Sequence, residues 1–193
     1  MLRRGSTVCA CLAAAVLLVA CAEPPRKEMD QAQGAIDAAR AAGADQYAET
    51  EYSAATTALA QATGAVGARD YRLALNYALE SHEHAQNAAR DTANTKARMR
   101  AELERALGDI ETLIATGRAR IAAAGKTRAP RRAPRQAAAD FSQATADLQK
   151  AREIVTAGDY IRADTVVKGI KGRVDKALAA LDAASPRPAR RRR

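Results

Sequence analysis

Residues 52–74 (YSAATTALAQATGAVGARDYRLA) return without a gap as residues 141–163 (FSQATADLQKAREIVTAGDYIRA), an offset of 89 positions. Ten of the 23 positions are identical, and the shared Leu59/Leu148, Val66/Val155, Asp70/Asp159 and Tyr71/Tyr160 exceed what alanine bias alone would give. Two copies are too few for a solenoid, which needs three or more to bury a continuous core, so the unit reads as a duplicated hairpin. In the second copy Ala144, Leu148, Ala151 and Val155 fall at helical spacing on one face. Gly158 supplies a helix stop and Asp159 an N-cap for the next helix. That helix carries Ala163, Val167, Ile170, Val174, Ala177 and Leu181 as an apolar stripe. Tyr71 and Tyr160 follow the two capping aspartates, Asp70 and Asp159. Each ring is suited to wedge between the helices of its hairpin with its hydroxyl at the wet edge, and a ligand-binding role is the alternative.

Composition sharpens this reading. Alanine supplies about a quarter of the residues, Trp is absent, and Phe141 stands with five tyrosines as the aromatic content. Alanine is the best helix former, yet burying its methyl contributes little beside Leu or Phe. Such a chain makes long, closely packed helices with a thin core rather than a globule with a deep pocket. No alternating β-branched run bounded by turns is present. The class expected is all-α, with helices at 27–42, 46–67, 70–125, 136–157 and 160–184. The proline-free stretch 70–125 carries Leu103, Leu107, Ile110, Ile114 and Ile121 as its strongest apolar stripe. The expected architecture is an elongated antiparallel helical bundle, built from two duplicated helical hairpins joined by a long helix.

The first residues read as an export signal. Arg3 and Arg4 make a positive start, and Val8 to Ala20 is an uncharged apolar run of a length suited to a signal peptide and too short to span a bilayer. The run ends in Leu18-Val19-Ala20-Cys21, and the chain then turns polar at Glu23. Leu18, Val19 and Ala20 before Cys21 resemble the lipobox of bacterial lipoproteins, which implies lipidation of Cys21 and removal of residues 1–20. Cys9 and Cys11 would leave with the signal, and no cysteine follows position 21, so the exported part has no disulfide. Two or more acyl chains hold a protein stably at a membrane. Ala22 is not the Asp that resembles an inner-membrane retention signal. The expected location is therefore the outer membrane, lipid-anchored and facing the periplasm. The expected divisions are 1–20 signal, 21–26 lipidated linker, 27–125 first hairpin and long helix, 126–135 basic Pro/Arg loop, 136–184 second hairpin and 185–193 basic tail.

Charge is concentrated in two places. Without Arg3 and Arg4 the formal net charge falls from +9 to +7, and segments 126–135 and 185–193 contribute five positive charges each, which leaves −3 for the remainder. Flexible, solvated segments are one reading of these Pro/Arg stretches. Contact with an anionic partner such as lipopolysaccharide, phospholipid or cell-wall glycan is the other. The candidate residues are Arg128, Arg131, Arg132, Arg135, Arg190, Arg191, Arg192 and Arg193. Nucleic acid is not expected, since export removes the chain from it and no aromatic stacking residues accompany the arginines.

No residue pattern points to catalysis, a cofactor or a metal. His82 and His84, two apart on a helix, point about 200° from each other and cannot share a metal as i, i+4 histidines do. Gly125-Lys126-Thr127 lacks the upstream glycine of a phosphate loop, Arg120 standing there instead. Glu102, Glu104, Asp109 and Glu111 are interleaved with arginines in the manner of helical surface pairs rather than an acid–base pair in a cleft.

The pattern Ala42-Gly43-Ala44, Tyr47, Tyr52, then Leu59-x-x-Ala62 and Asp70-Tyr71-x-x-Ala74 resembles an uncharacterised Ala-rich helical domain family of proteobacterial envelope lipoproteins, a domain of unknown function. Some members carry it ahead of an OmpA-like peptidoglycan-binding domain. The resemblance covers residues 25–95 and, through the repeat, 136–184. Glu49 stands where the family commonly has proline, and no peptidoglycan-binding domain follows here, so a cell-wall role by that route is unsupported. The function expected is that of a non-enzymatic structural or adaptor lipoprotein that associates through helix–helix contacts with a protein partner or a second copy. The alternative is a binder of anionic envelope polymer through the two Arg-rich segments.

Overall fold

A computed structural model describes residues 23–124 and 132–184. Among the described residues every regular element is a helix, so the class is all-α. The helices are α1 (Arg26–Ala42), α2 (Ala44–Tyr47), α3 (Glu49–Gly67), α4 (Tyr71–Ala124), α5 (Arg132–Thr156) and α6 (Tyr160–Ala184). The chain divides into two compact units, residues 1–95 and 96–193, so α4 gives its first part to one and its second part to the other. Each hairpin thus has a third helix. In the first unit α1 packs on α3 and α4, and in the second the later part of α4 packs on α5 and α6.

The repeat is written into the turns. The Arg69 amide donates to the Val66 carbonyl (3.0 Å) and the Asp70 amide to the Ala65 carbonyl (2.9 Å). In the second copy the Gly158 amide donates to Val155 (3.1 Å) and the Asp159 amide to Ile154 (3.3 Å). Both pairs form the helix stop that needs one left-handed residue, filled by Arg69 (φ 62°) and Gly158 (φ 83°). Each aspartate then caps the following helix: Asp70 Oδ1 accepts from the Leu73 amide at 3.0 Å, and Asp159 Oδ1 from the Arg162 amide at 3.1 Å. A left-handed residue with a Cβ costs about 1–2 kcal/mol, whereas glycine does not incur it. Arg69→Gly is therefore expected to stabilise the first unit by about 0.5–1 kcal/mol after glycine's larger unfolded entropy is counted, and Gly158→Ala to destabilise the second by about 1 kcal/mol. Urea midpoints of the two variants check both signs.

Two expected boundaries are corrected. The helix expected at 46–67 is broken at Ala48, whose φ of −146° and ψ of 45° are not helical. The break lets the short α2 bury Ala44 against Ala39 and Ala88 before the chain redirects into α3. The segment 126–135, expected as loop throughout, is helical from Arg132 onward. Pro134 is the third residue of α5, and the first four N–H groups of a helix have no intrahelical acceptor, so proline removes no bond there.

The two cores differ in chemistry. The second is built from Leu103, Leu107, Ile110 and Ile114 of α4, from Phe141, Ala144, Leu148, Ala151 and Val155 of α5, and from the whole α6 stripe. Ile121 and Tyr160 pack at its margin. Moving the six buried α6 positions back by 89 residues gives Ala74, Ala78, Ser81, Ala85, Ala88 and Thr92, all six buried on α4. The duplication therefore runs through the second helix of each hairpin with its register kept, although only the pairs Ala74/Ala163 and Ala88/Ala177 are identical. On α3 the buried set is Ala55, Ala58, Ala62 and Ala65, while Leu59 and Val66, matches of the buried Leu148 and Val155, are half-buried. α3 has rolled to put an alanine seam inward, and alanine lets helix axes approach toward the lower end of the ~8–10 Å range.

Candidate functional site

Most of the residues singled out in the sequence lie outside the described residues: Leu18, Val19, Ala20 and Cys21, then Arg128 and Arg131, and finally Arg190, Arg191, Arg192 and Arg193. Arg132 and Arg135 are described. Both are exposed on the first turn of α5, which carries no carboxylate. That end of a helix carries partial positive charge, so two guanidinium groups there oppose the usual preference and favour an anion beside them. A shallow depression of about 530 Å³ adjoins Arg132, lined also by Gln136, Asp140, Lys176, Ala177 and Ala180. Its lining is of mixed charge, with the half-buried Asp140 carboxylate set beside the cationic Arg132 and Lys176.

The two histidines serve different interfaces of the first unit. His84 Nδ1 lies 2.8 Å from Glu51 Oε2 on α3, and its other ring nitrogen 3.8 Å from Glu80. His82 Nδ1 lies 3.4 Å from the Gln31 carbonyl of α1. Among the described residues no group of three or more His, Cys, Asp or Glu side chains is placed to hold a metal ion. Arg40 ties α1 to α3 by donating from Nε to the Tyr52 hydroxyl at 2.6 Å. Tyr52 occupies the repeat position of Phe141, and its hydroxyl is the group that the second copy lacks there. Ser81 Oγ donates to the Ala55 carbonyl at 2.8 Å inside the core, while the buried Thr92 hydroxyl has no partner among the described residues. A second depression, of about 330 Å³, is lined by Tyr47, Ala48, Glu49, Glu51, Asp91 and Asn94.

Ion pairs join the helices of the second unit. Arg120 reaches Asp182 at 2.7 Å, Arg152 pairs with Glu111, and Arg173 pairs with Asp147. The Arg173 hydrogen bond holds the Asp147 carboxyl below the usual carboxylate range, aided by Gln143 and Lys150 against the opposing effect of partial burial. A carboxyl that binds its proton less readily when folded stabilises the fold above its unfolded pKa, about 4, and loses that contribution as pH falls through its folded value. Asp147→Asn is expected to lower stability at neutral pH and to flatten the loss of stability below pH about 4. Urea midpoints measured across the acid range read the change of slope.

Among the described residues no helix is long and apolar enough to cross a membrane. Glu49 is the first residue of α3. Proline suits that position because its missing N–H costs nothing there, and glutamate suits it through the helix dipole, so the departure from the family pattern leaves the local structure intact. Comparison with curated proteins and with solved structures gave no match. The family model described as Domain of unknown function (DUF4398) matches residues 27–106, which takes in α1, α2, α3 and α4 as far as residue 106. The second copy of the repeat lies beyond that match. A DUF4398 domain, a domain of unknown function, is therefore found at residues 27–106 of this chain.

Proposed function

We propose that the chain is a lipoprotein anchored through Cys21 to the outer membrane, facing the periplasm, where it acts as a non-enzymatic structural or adaptor protein through helix–helix contacts. The observation that carries the reading is Leu18-Val19-Ala20-Cys21 at the end of an uncharged apolar run, with polar sequence directly after it. Support for the helical contacts comes from Ile161, a large apolar side chain left 42% exposed at the surface of α6. Intact mass and membrane fractionation of the chain and of Cys21→Ala, expressed in a lipoprotein-processing host, test the anchor. The expected product begins at an acylated Cys21 and sediments with outer membrane, and the substitution releases it. A soluble product without acyl mass overturns the reading. A second reading, binding of anionic envelope polymer, is favoured by Arg132 and Arg135 on an acid-free first turn. It requires binding that weakens with salt and vanishes when both Arg-rich segments are neutralised.

A further inference from the structure

The helices of the first unit bring particular residues to the end from which the chain's N-terminal segment arrives. Ile36 packs with Ala85, Ala39 packs with Ala88, and His82 meets the Gln31 carbonyl. α1 therefore runs parallel to α4, each residue beside the one about 50 positions later. Arg26, the first residue of α1, is thus level with about residue 76, and the first turn of α4 projects roughly 7 Å beyond it at about 1.5 Å per residue. α3 runs the other way, as the bond from Ser81 to the Ala55 carbonyl requires, so the turn at 68–70 lies at this same end.

Cys21 precedes α1 by five residues, which span at most about 17 Å when extended. α1 itself is 17 residues long, about 25 Å. An acyl chain on Cys21 would hold this end, and not the opposite one at Tyr47 and Glu49, against a bilayer. Here stand Leu79, 53% exposed and the most exposed large apolar side chain among the described residues, and Leu73, 36% exposed. Single exposed leucines are ordinary on protein surfaces. Arg69 is not: it accepts a left-handed backbone where the other copy has Gly158. Strain kept at one site and relieved at its duplicate points to a role for the side chain. Arg26, Lys27 and Arg72 are also exposed at this end, beside the acidic Glu23, Glu28, Asp30, Glu80 and the capping Asp70.

We propose that this end of the first unit is a phospholipid-contact surface, on which Leu73 and Leu79 enter the headgroup region and Arg69 and Arg72 meet anionic phosphates. It rests on the anchoring at Cys21 proposed above. Long arginine stems can lie along the apolar boundary while the guanidinium group stays at the phosphates.

The test uses the acylated chain reconstituted in phosphatidylglycerol-containing vesicles, with a spin label on Leu79→Cys or, at the opposite end, on Thr50→Cys. Cys21 would be acylated and Cys9 and Cys11 removed, so labelling is specific. The label at 79 is expected to be reached by oxygen dissolved in the bilayer and shielded from an aqueous relaxation agent, with the reverse at 50. Adding Arg69→Gly is expected to lower the immersed fraction about fivefold on anionic vesicles while raising the melting temperature, a pairing that a purely structural role for Arg69 would not produce. An acylated, vesicle-bound chain whose label at 79 is as water-exposed as that at 50 overturns this surface and leaves the anchor standing. Shielding of the label at 79 in the Cys21→Ala chain, in buffer without lipid or detergent, assigns the face to a second copy and overturns it as well. A chain without acyl mass overturns both readings together.

Discussion

Phe141→Ala is expected to lower the stability of the second unit by about 3–5 kcal/mol, the range for emptying a fully buried aromatic site. Phe141 is wholly buried, the largest side chain with that degree of burial, and lies in a core whose other members are aliphatic. Its ring occupies the space that a side chain at residue 117 would need: a Cβ built on Gly117 would stand 2.3 Å from Phe141 Cζ. Gly117→Ala is accordingly expected to cost about 1–3 kcal/mol as overpacking, despite alanine's better helix propensity. The two sites should couple. Gly117→Ala combined with Phe141→Leu is expected to cost less than the sum of the single changes. Hydrogen exchange of the α6 amides, compared with those of residues 74–92, reads the effect unit by unit. A neutral Gly117→Ala, or a loss spread evenly over both sets of amides, would contradict this account. Whole domains are stable by about 5–15 kcal/mol, so the Phe141 change approaches the limit of what the unit can bear.

Exchanging equivalent residues between the two units is expected to damage both. Ser81 and Ile170 occupy the same position, 89 residues apart, and both are buried. Ile170→Ser removes a branched side chain from an aliphatic core and should cost about 2–5 kcal/mol. Ser81→Ile presses two extra heavy atoms into an alanine seam and removes the bond to the Ala55 carbonyl, for about 1–3 kcal/mol of overpacking and about 1 kcal/mol of lost hydrogen bond. Unfolding in urea followed by exchange at the two sets of amides would show each loss confined to its own unit. If Ser81→Ile proved neutral or stabilising, the first unit would not be the tightly seamed structure described above.

The candidate site was legible only in part. The turn residues Asp70 and Asp159 could be read because an N-cap is a local device, a short polar side chain directly before a helical run. The role of Arg69 could not be read, because arginine carries no signal for a left-handed backbone. Its conformation emerges only when α3 stops and α4 must start beside it. Cys21 and the outlying arginines remain sequence readings, since they fall outside the described residues.

The amino-acid sequence by itself determined the helices and, in the second unit, their buried faces. Leu, Ile and Val at three- and four-residue spacing in α4, α5 and α6 contrast with their charged neighbours, and that contrast is enough to orient a helix. In the first unit the contrast is missing. Ala55, Ala58, Ala62 and Ala65 are buried on α3 while Ala60 is exposed, and the residue type does not distinguish them. Which alanines turn inward, where the chain breaks at Ala48, and which glycine faces Phe141 were decided by how the helices pack. A methyl group fits either environment at little cost, and the choice passes to the neighbours that crowd it.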